Sequence, residues 1–300
     1  MPTSRTFPKQ TAALYIGSAI LIAAIAVFLW WQFVYQNPRH VFDDMLANNL
    51  QTTSVTKQQK QGNGSQSVTQ TVRLQLGSTN ATDWLVTINQ ANSRVTTESI
   101  GTPNAGYVRY LSASTKQKRA NGKAYDFSKL LNVWGKADTK DSKNVLNQLF
   151  SQTMLDIGTA PLPPLGNLQP DDRQNILDFM QEQSVFNADY NKVTTGTVDG
   201  RPVYIYPVTV KLEPYLRMMQ AFARDNGMRQ LDAIEPSQYR TAPAVKMTFK
   251  VDRWSHQLRQ VQYDTAKFSQ TYTDYGLKLP IQIPRQTIPV TDLQNRLQKL

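Results

Sequence analysis

The residues able to do chemistry are few and scattered in this chain. Only two histidines occur, His40 and His256. Neither is part of an H-x-x-x-H motif or of another spacing typical of metal ligands. The sequence contains no cysteine, which excludes disulfides, thiol nucleophiles and thiolate metal sites. No G-x-S-x-G, Walker A or G-x-G-x-x-G motif is present. The sequence therefore predicts a protein with no metal, no cofactor and no catalytic residue.

Two acidic pairs are the remaining candidates for chemistry. Asp43-Asp44 and Asp171-Asp172 each stand at the predicted start of a helix, where the helix dipole stabilises carboxylates. That position explains both pairs without catalysis. A hydrolase that uses two distant carboxylates leaves no local motif, so an enzyme of the cell envelope stays open. A pocket that collects several acidic groups with raised pKa values would identify it.

One uncharged stretch, residues 11–35, dominates the N-terminal part of the chain. As a helix it would be about 37 Å long, enough to cross an apolar bilayer core of about 30 Å. Trp30, Trp31 and Tyr35 lie at one end, as interfacial aromatic residues do. The apolar run is longer than that of a signal peptide and ends without a small-residue cleavage site. These features favour an uncleaved signal anchor, a single transmembrane helix.

The charges around this stretch predict its orientation. Arg5 and Lys9 precede it, and the more positive flank of a span stays in the cytoplasm. We therefore expect a cytoplasmic basic tail at residues 1–10, a single-pass anchor in the cell membrane at residues 11–35, and an extracytoplasmic domain at residues 36–300. The net charge of the chain is +11. Nucleic acid is not expected across the membrane, so anionic lipid headgroups and acidic wall polymers are the anionic partners within reach.

Hydrophobic periodicity predicts an α+β domain with a long antiparallel sheet and helices on one face. Helical spacing appears at residues 39–50, 141–154, from Pro170, from Pro214 to Asn226, and at 292–300. Strand-like alternation with turn signals appears at 52–61, 72–76, 84–88, 94–99, 107–114, 190–198, 201–212, 245–251, 257–263 and 268–275. Asp199-Gly200 predicts a hairpin turn, and Pro207 predicts a bulge or a sheet edge.

Residues between about 245 and 284 carry a family resemblance. One strand ends in Val251-Asp252-Arg253-Trp254, a return strand holds Leu258-Arg259-Gln260-Val261, and a further strand runs into Tyr272-Thr-Asp-Tyr-Gly276 before Ile281-Gln-Ile-Pro284. With its opening amphipathic helix and meander, the chain resembles the LolA/LppX-like lipoprotein-carrier superfamily. The resemblance implies a strongly curved, unclosed sheet, a half-barrel around helices with an apolar cavity for acyl chains. The chain departs from this superfamily in two ways: it is expected to retain its transmembrane span, and it has no cysteine that could carry an acyl anchor.

Two functions without catalysis stay open. In the first, the half-barrel binds a lipid or another apolar ligand. The candidate lining residues of its cavity are Trp84, Val86, Ile88, Val203, Ile205, Met247 and Phe249. In the second, these residues form a filled core, and the protein is a structural or interaction protein of the cell envelope. Its basic surface, for example the acid-free run of Lys116, Lys118, Arg119 and Lys123, would bind wall polymer, lipid headgroups or a partner protein. A continuous apolar cavity would favour the first function.

Overall fold

The computed structural model describes residues 9–77, 79–138, 145–155, 161–263, 269–278 and 280–300. In this part of the chain an apolar helix leads into a mixed α+β domain with a large curved, unclosed sheet, which confirms the predicted class. The helices are α1 (Lys9–Trp30, continued by a π-helical turn at Trp31–Tyr35), α2 (Pro38–Leu50), α3 (Leu149–Leu155), α4 (Pro170–Glu182), α5 (Leu212–Asp225) and α6 (Val290–Gln298). The strands are β1 (Ser54–Asn63), β2 (Gln66–Gln75), β3 (Ala81–Gln90), β4 (Ser93–Gly101), β5 (Ala105–Thr115), β6 (Gly135–Asp138), β7 (Phe186–Ala188), β8 (Thr194–Val198), β9 (Arg201–Val210), β10 (Val245–Asp252), β11 (Leu258–Tyr263), β12 (Ser269–Thr273) and β13 (Ile288–Pro289).

The strands of the described residues form one sheet. Their order is β13-β6-β5-β4-β3-β2-β1-β12-β11-β10-β9-β7, and β8 also pairs with β9. The pairing of β1 with β12 joins the N-terminal meander to the C-terminal strands, with Thr56 opposite Thr273. Within the described residues the end strands β13 and β7 do not pair with each other, so the sheet remains open.

Tight turns form where the sequence allows a left-handed backbone. Asp199 and Gly200 have φ values of 48° and 75° between β8 and β9, which confirms the predicted hairpin. Gly62 and Gly64 have φ values of 73° and 58° where β1 turns into β2. Such turns set the register, and the register decides which side chains face the helices.

One large core lies between the helices and one face of the sheet, here called the concave face. The predicted helix at residues 39–50 is confirmed as α2, and it buries Val41, Phe42 and Met45 in this core. The ring of Phe42 lies 5.1 Å from that of Tyr206 on β9 and 6.2 Å from that of Phe249 on β10. Aromatic packing thus holds α2 against the C-terminal half of the sheet.

Pro207 does not produce a bulge. It pairs with Thr248, and the register between β9 and β10 continues without a shift on both sides. On the other side of β9, the pairing with β8 ends at Ile205 and the pairing with β7 starts at Val208. Proline is tolerated there because its missing N–H falls in the gap between the two partner strands.

One predicted segment differs from the structure. The helix predicted at 141–154 is a 3₁₀ turn at Val145–Gln148 followed by α3, while residues 139–144 lie outside the described part of the chain. In the proline-rich segment before α4, residues 161–166 are buried. Leu162 and Leu165 belong to the core, and the N–H of Gly166 donates to the carbonyl of Asn49 at 3.0 Å. Pro161, Pro163 and Pro164 are buried in the same segment.

The apolar helix meets the domain at a short joint. Asn37 caps α2, its side chain accepting the N–H of Arg39 at 2.9 Å, and Pro38 occupies the first turn. Tyr204 and Tyr206 donate their hydroxyls to the carbonyls of Gln36 and Pro38, each at 2.9 Å. The residues that directly follow the apolar segment are therefore tied to strand β9.

Length and apolar composition do not qualify any single described helix as a membrane span. Ile20–Tyr35 and Pro38–Leu50, which meet at an angle of 70°, satisfy these criteria only as a pair. The anchor at residues 11–35 stays a prediction.

Asp252 organises the turn between β10 and β11. Its carboxylate accepts the backbone N–H groups of Trp254 at 2.9 Å and Ser255 at 3.0 Å. Its second oxygen lies 3.6 Å from a guanidinium nitrogen of Arg201 and 3.4 Å from one of Arg259. Burial opposes the ionisation of Asp252, but the backbone donors and the two arginines together hold its pKa below the ordinary value of 3.8.

An Asp252→Asn variant is expected to lower the free energy of unfolding by about 2 kcal/mol near neutral pH, because two arginines lose their counter-charge. Since the folded protein lowers this pKa, ionised Asp252 stabilises the fold above pH 3.8, and the contribution is lost as the pH falls through that range. Urea unfolding near pH 7 and near pH 2 measures both effects. Asp199→Asn, at an exposed turn whose left-handed backbone suits asparagine, is the control. An equal difference between wild type and Asp252→Asn at both pH values would contradict the prediction.

Candidate functional site

The seven candidate lining residues do not share one surface. Trp84, Val86 and Ile88 alternate along β3 and lie on the concave face, as do Met247 and Phe249 on β10. Val203 and Ile205 pair with Asp252 and Lys250, which puts them on the opposite face from Met247 and Phe249. The physical reason is the unbroken register at Pro207, which directs Tyr204, Tyr206, Val208 and Val210 to the concave face.

The C-terminal half of the concave face is filled. Met247 and Phe249 are at most 1% exposed. The ring of Phe249 lies 6.2 Å from that of Phe42 on α2 and 6.1 Å from that of Phe186 on β7. Helix side chains and neighbouring strands therefore occupy the space that a ligand would need beside Met247 and Phe249.

The N-terminal half of the concave face is open, and Trp84, Val86 and Ile88 lie on it. Exposure rises along β3, from the fully buried Thr82, through half-buried Trp84 and Val86, to Ile88 at 39%. The register surrounds these residues with further half-buried apolar side chains: Val68, Val95, Val108, Tyr110 and Ala113. Burial raises the pKa of Tyr110, consistent with an apolar environment.

A groove of about 610 Å³ lies at the outer end of this open half. Val68, Ile88 and Ala91 are its apolar lining residues, and the other nine are polar or glycine, among them Gln61, Asn89 and Asn92 on the β1–β2 and β3–β4 hairpins. A volume of this order suits a small-molecule ligand. The mostly polar lining suits the polar end of a ligand whose apolar part lies on the row from Trp84 to Ile88.

A buried polar cluster closes the inner end. The indole N–H of Trp84 donates to the hydroxyls of Thr153 at 2.7 Å and Thr82 at 3.1 Å. The ammonium of Lys57, a side chain only 4% exposed, donates to the carbonyl of Thr153 at 3.4 Å. These contacts fix the orientation of Trp84 between sheet and α3. Strand alternation from Val55 could have placed Lys57 on this face, but no sequence signal indicates Thr153.

Two glycines let α3 approach the sheet at this end. Gly101 and Gly106 pair with each other on β4 and β5. A Cβ atom on Gly106 would come within 2.1 Å of the carbonyl oxygen of Leu146, and one on Gly101 within 2.8 Å of the backbone nitrogen of Phe150. Only glycine at these two positions lets residues 146–150 pack this close to the sheet. That packing forms the inner boundary of the open half.

The opposite face of β2–β5 carries charged pairs. A guanidinium nitrogen of Arg73 lies 3.2 Å from the carboxylate of Asp83, and Arg109 pairs with Glu98 while lying 4.5 Å from the ring centre of Trp134. Burial, reinforced by the nearby Glu98, raises the pKa of Asp83 although Arg73 opposes it. These ionic pairs lie beside a second, small apolar cluster on the same face, formed by Ala81, Ile100, Ala105, Tyr107 and Ile281.

Both histidines converge on one carboxylate at the joint. Asp44 lies 2.8 Å from Nδ1 of His256 and 3.3 Å from Nε2 of His40. His256 is 2% exposed, so its imidazole is shielded from any substrate. No group of three His, Cys, Asp or Glu residues within the described ranges is arranged to hold a metal ion. The cluster ties α2 to the β10–β11 turn, a role that the sequence separation of the two histidines concealed.

A second groove, of about 500 Å³, lies between α2 and α4. Phe42, Leu46 and Met180 line its floor, while Asp43 and Tyr190 stand at its side with Arg39. Burial, reinforced by the nearby Asp43, raises the pKa of Tyr190 to about 12, and burial also raises the pKa of Asp43. Four charged residues, Arg39, Asp43, Asp44 and Asp178, line this groove beside its apolar side chains, whereas no charged residue lines the groove at the outer end of the open half.

Comparison with known proteins shows similarity at the level of structure. No family model matches the sequence, and no curated protein matches it significantly. Among solved structures, the crystal structure of LprF from Mycobacterium bovis is similar, with 13% sequence identity and a TM-score of 0.38, covering 84% of this chain and 96% of that chain. This similarity carries no argument about a ligand, so the function is inferred from the chain's own residues.

Proposed function

We propose that this chain is a membrane-anchored extracytoplasmic protein that binds a lipid or another apolar ligand, without catalysis, on the open half of its concave face. The observation that carries the proposal is the row of apolar side chains around Val86 and Ile88, which remains partly exposed while the rest of the same face is filled. Exposed, contiguous apolar surface of this kind marks interaction sites.

The shape of the open half favours an elongated apolar ligand. Four strands, β2–β5, contribute to it, and neighbouring strands lie about 4.8 Å apart, so its floor is about 14 Å wide. From Trp84 to Ile88 the floor runs for about 13 Å along β3. A hydrocarbon chain fits a floor with these dimensions, and the polar hairpin rim at its outer end suits a headgroup.

The anchor is part of the proposal. Large apolar side chains between Ile20 and Val34 are exposed by 38% to 69% in the described part of α1 and the following turn. Apolar surface of that extent is unfavourable in water and favourable in a bilayer. The basic residues before it support a cytoplasmic N-terminus and a domain outside the cell membrane.

The test uses residues 38–300, which begin just inside the predicted extracytoplasmic domain and which we expect to be soluble and folded. Native mass spectrometry of this domain, purified from cells and then offered phosphatidylcholine and phosphatidylglycerol, should show one bound lipid. Absence of both retained and added lipid would contradict the proposed ligand. An insoluble or unfolded product would instead contradict the domain boundary.

A basic loop supports the alternative function in the envelope. Lys116, Lys118 and Lys123 are exposed, and the guanidinium of Arg119 lies 5.5 Å from the ring centre of Tyr125. Such a loop would bind acidic wall polymer or anionic headgroups through screened electrostatic attraction. Sedimentation of the domain with wall material at low salt, lost at high salt, would support this function. No binding at low salt would reject it.

A further inference from the structure

One large aromatic side chain of the folded domain is mostly exposed to solvent instead of packing in the core. Trp254, in the turn between β10 and β11, is 64% exposed. Outside Ile20–Val34, the other exposed aromatic residue in the described chain is Tyr239, at 39%. A tryptophan presented to water in this way loses most of the free energy that its burial would provide.

The backbone of Trp254 is held rigidly. Asp252 accepts the N–H groups of Trp254 and Ser255, and the side-chain amide of Asn48 on α2 donates to the carbonyls of Ser255 at 3.4 Å and His256 at 3.0 Å. Hydrogen bonds from two parts of the fold therefore fix the turn. The side chain of Trp254 is therefore exposed although its backbone is held in place.

The same turn touches the end of the apolar segment. The hydroxyl of Tyr35 donates to the carbonyl of Trp254 at 2.7 Å, and the ring of Tyr35 lies 4.3 Å from that of His256. A guanidinium nitrogen of Arg253 donates to the side-chain oxygen of Gln36 at 2.7 Å. Trp254 is therefore placed beside the point where the exposed apolar residues end.

The chemistry of this end of the domain matches a bilayer surface. Tryptophan is favoured in the interfacial layer, where its ring is partly buried and its N–H meets polar groups. The Trp30 ring lies 5.9 Å from that of Tyr35, so aromatic side chains of the apolar segment extend toward the turn. Arg201, 60% exposed at its side chain, adds a cation beside Asp252 that can face lipid phosphate.

We propose that the Asp252–His256 turn lies on the membrane surface, with Trp254 in the headgroup layer of the bilayer that holds residues 11–35. This inference rests on the proposed anchor and goes beyond it, because it assigns a second lipid contact to the folded domain. With two contacts, the domain has a defined orientation on the membrane, and the anchor alone does not fix its tilt.

The test measures quenching of tryptophan fluorescence by brominated lipid in the full chain. The chain has five tryptophans. A Trp30→Phe/Trp31→Phe/Trp84→Phe background removes the two in the apolar segment and the one on the proposed lipid-binding floor, and keeps Trp134 and Trp254. It is reconstituted into phosphatidylcholine and phosphatidylglycerol vesicles whose acyl chains carry bromine near the headgroup. We expect about half of its emission to be quenched, and this quenching to disappear when Trp254→Phe is added.

Each other outcome overturns a defined part of the inference. If wild type is quenched but the Trp30→Phe/Trp31→Phe/Trp84→Phe background is not, Trp254 is not in the bilayer, which overturns the surface contact alone. Quenching that persists unchanged after Trp254→Phe also overturns it, because Trp134 is then the quenched residue. If wild type itself is not quenched, the proposed anchor fails and the surface contact fails with it.

Discussion

An Ile88→Asn variant of residues 38–300 is expected to bind a pyrene-labelled phosphatidylcholine about tenfold more weakly than the wild-type domain. Ile88 lies on the open half of the concave face, paired with Val68 and Val95. An amide there must lose water when a hydrocarbon chain covers it, at a cost of about 1 to 3 kcal/mol, and about 1.4 kcal/mol corresponds to a factor of ten. Fluorescence titration gives the dissociation constants of both proteins.

Leu85→Asn provides a closely matched control. Leu85 and Ile88 belong to the same strand and are each 39% exposed, but Leu85 pairs with Thr71 and Glu98 on the opposite face. The two substitutions change exposed apolar area and strand propensity to a similar degree, so both variants should have similar stability. Only Ile88→Asn should lose affinity. Equal loss of affinity in both variants, or none in either, would contradict a binding site on the open half.

A Phe249→Ala variant is expected to lower the free energy of unfolding by about 3 to 5 kcal/mol. Phe249 is fully buried, and its ring contacts those of Phe42 and Phe186. Removing the ring leaves a cavity beneath α2 that the surrounding strands cannot close. Urea unfolding of residues 38–300 measures the change, and Tyr239→Ala, at a residue 39% exposed, should change it by less than about 1 kcal/mol.

Lipid binding by the Phe249→Ala domain distinguishes a core residue from a cavity lining. As part of a filled core, Phe249 should affect stability strongly and the affinity for pyrene-labelled phosphatidylcholine only slightly, when both are measured well below the unfolding transition. A variant with unchanged stability and abolished binding would show the reverse. The ligand would then occupy the C-terminal half of the concave face.

Much of the fold could be predicted from local patterns. The α+β class, the helix at 39–50, the Asp199-Gly200 hairpin and the strands on either side of residues 252–256 all follow from periodicity and turn residues, which act over a few positions. On β3 the same reasoning grouped Trp84, Val86 and Ile88 on one face, because alternation is reliable within an uninterrupted strand. At Pro207, where a bulge or a sheet edge was expected, no bulge forms, and the gap between the partner strands β8 and β7 leaves a local edge.

The sequence by itself determined which segments are apolar, which alternate, and that no metal or nucleophile motif exists, because these properties belong to neighbouring residues. The tertiary structure alone decided which apolar residues remain accessible. Met247 and Ile88 are both apolar residues in alternating strand patterns of the sequence. In the structure, α2 covers the strand that carries Met247, while β3 beyond Trp84 is left open. It also brought His40, Asp44 and His256 together and placed Trp254 beside Tyr35, across more than two hundred residues. Such contacts depend on sheet register and helix placement, and those arise from the packing of the whole chain.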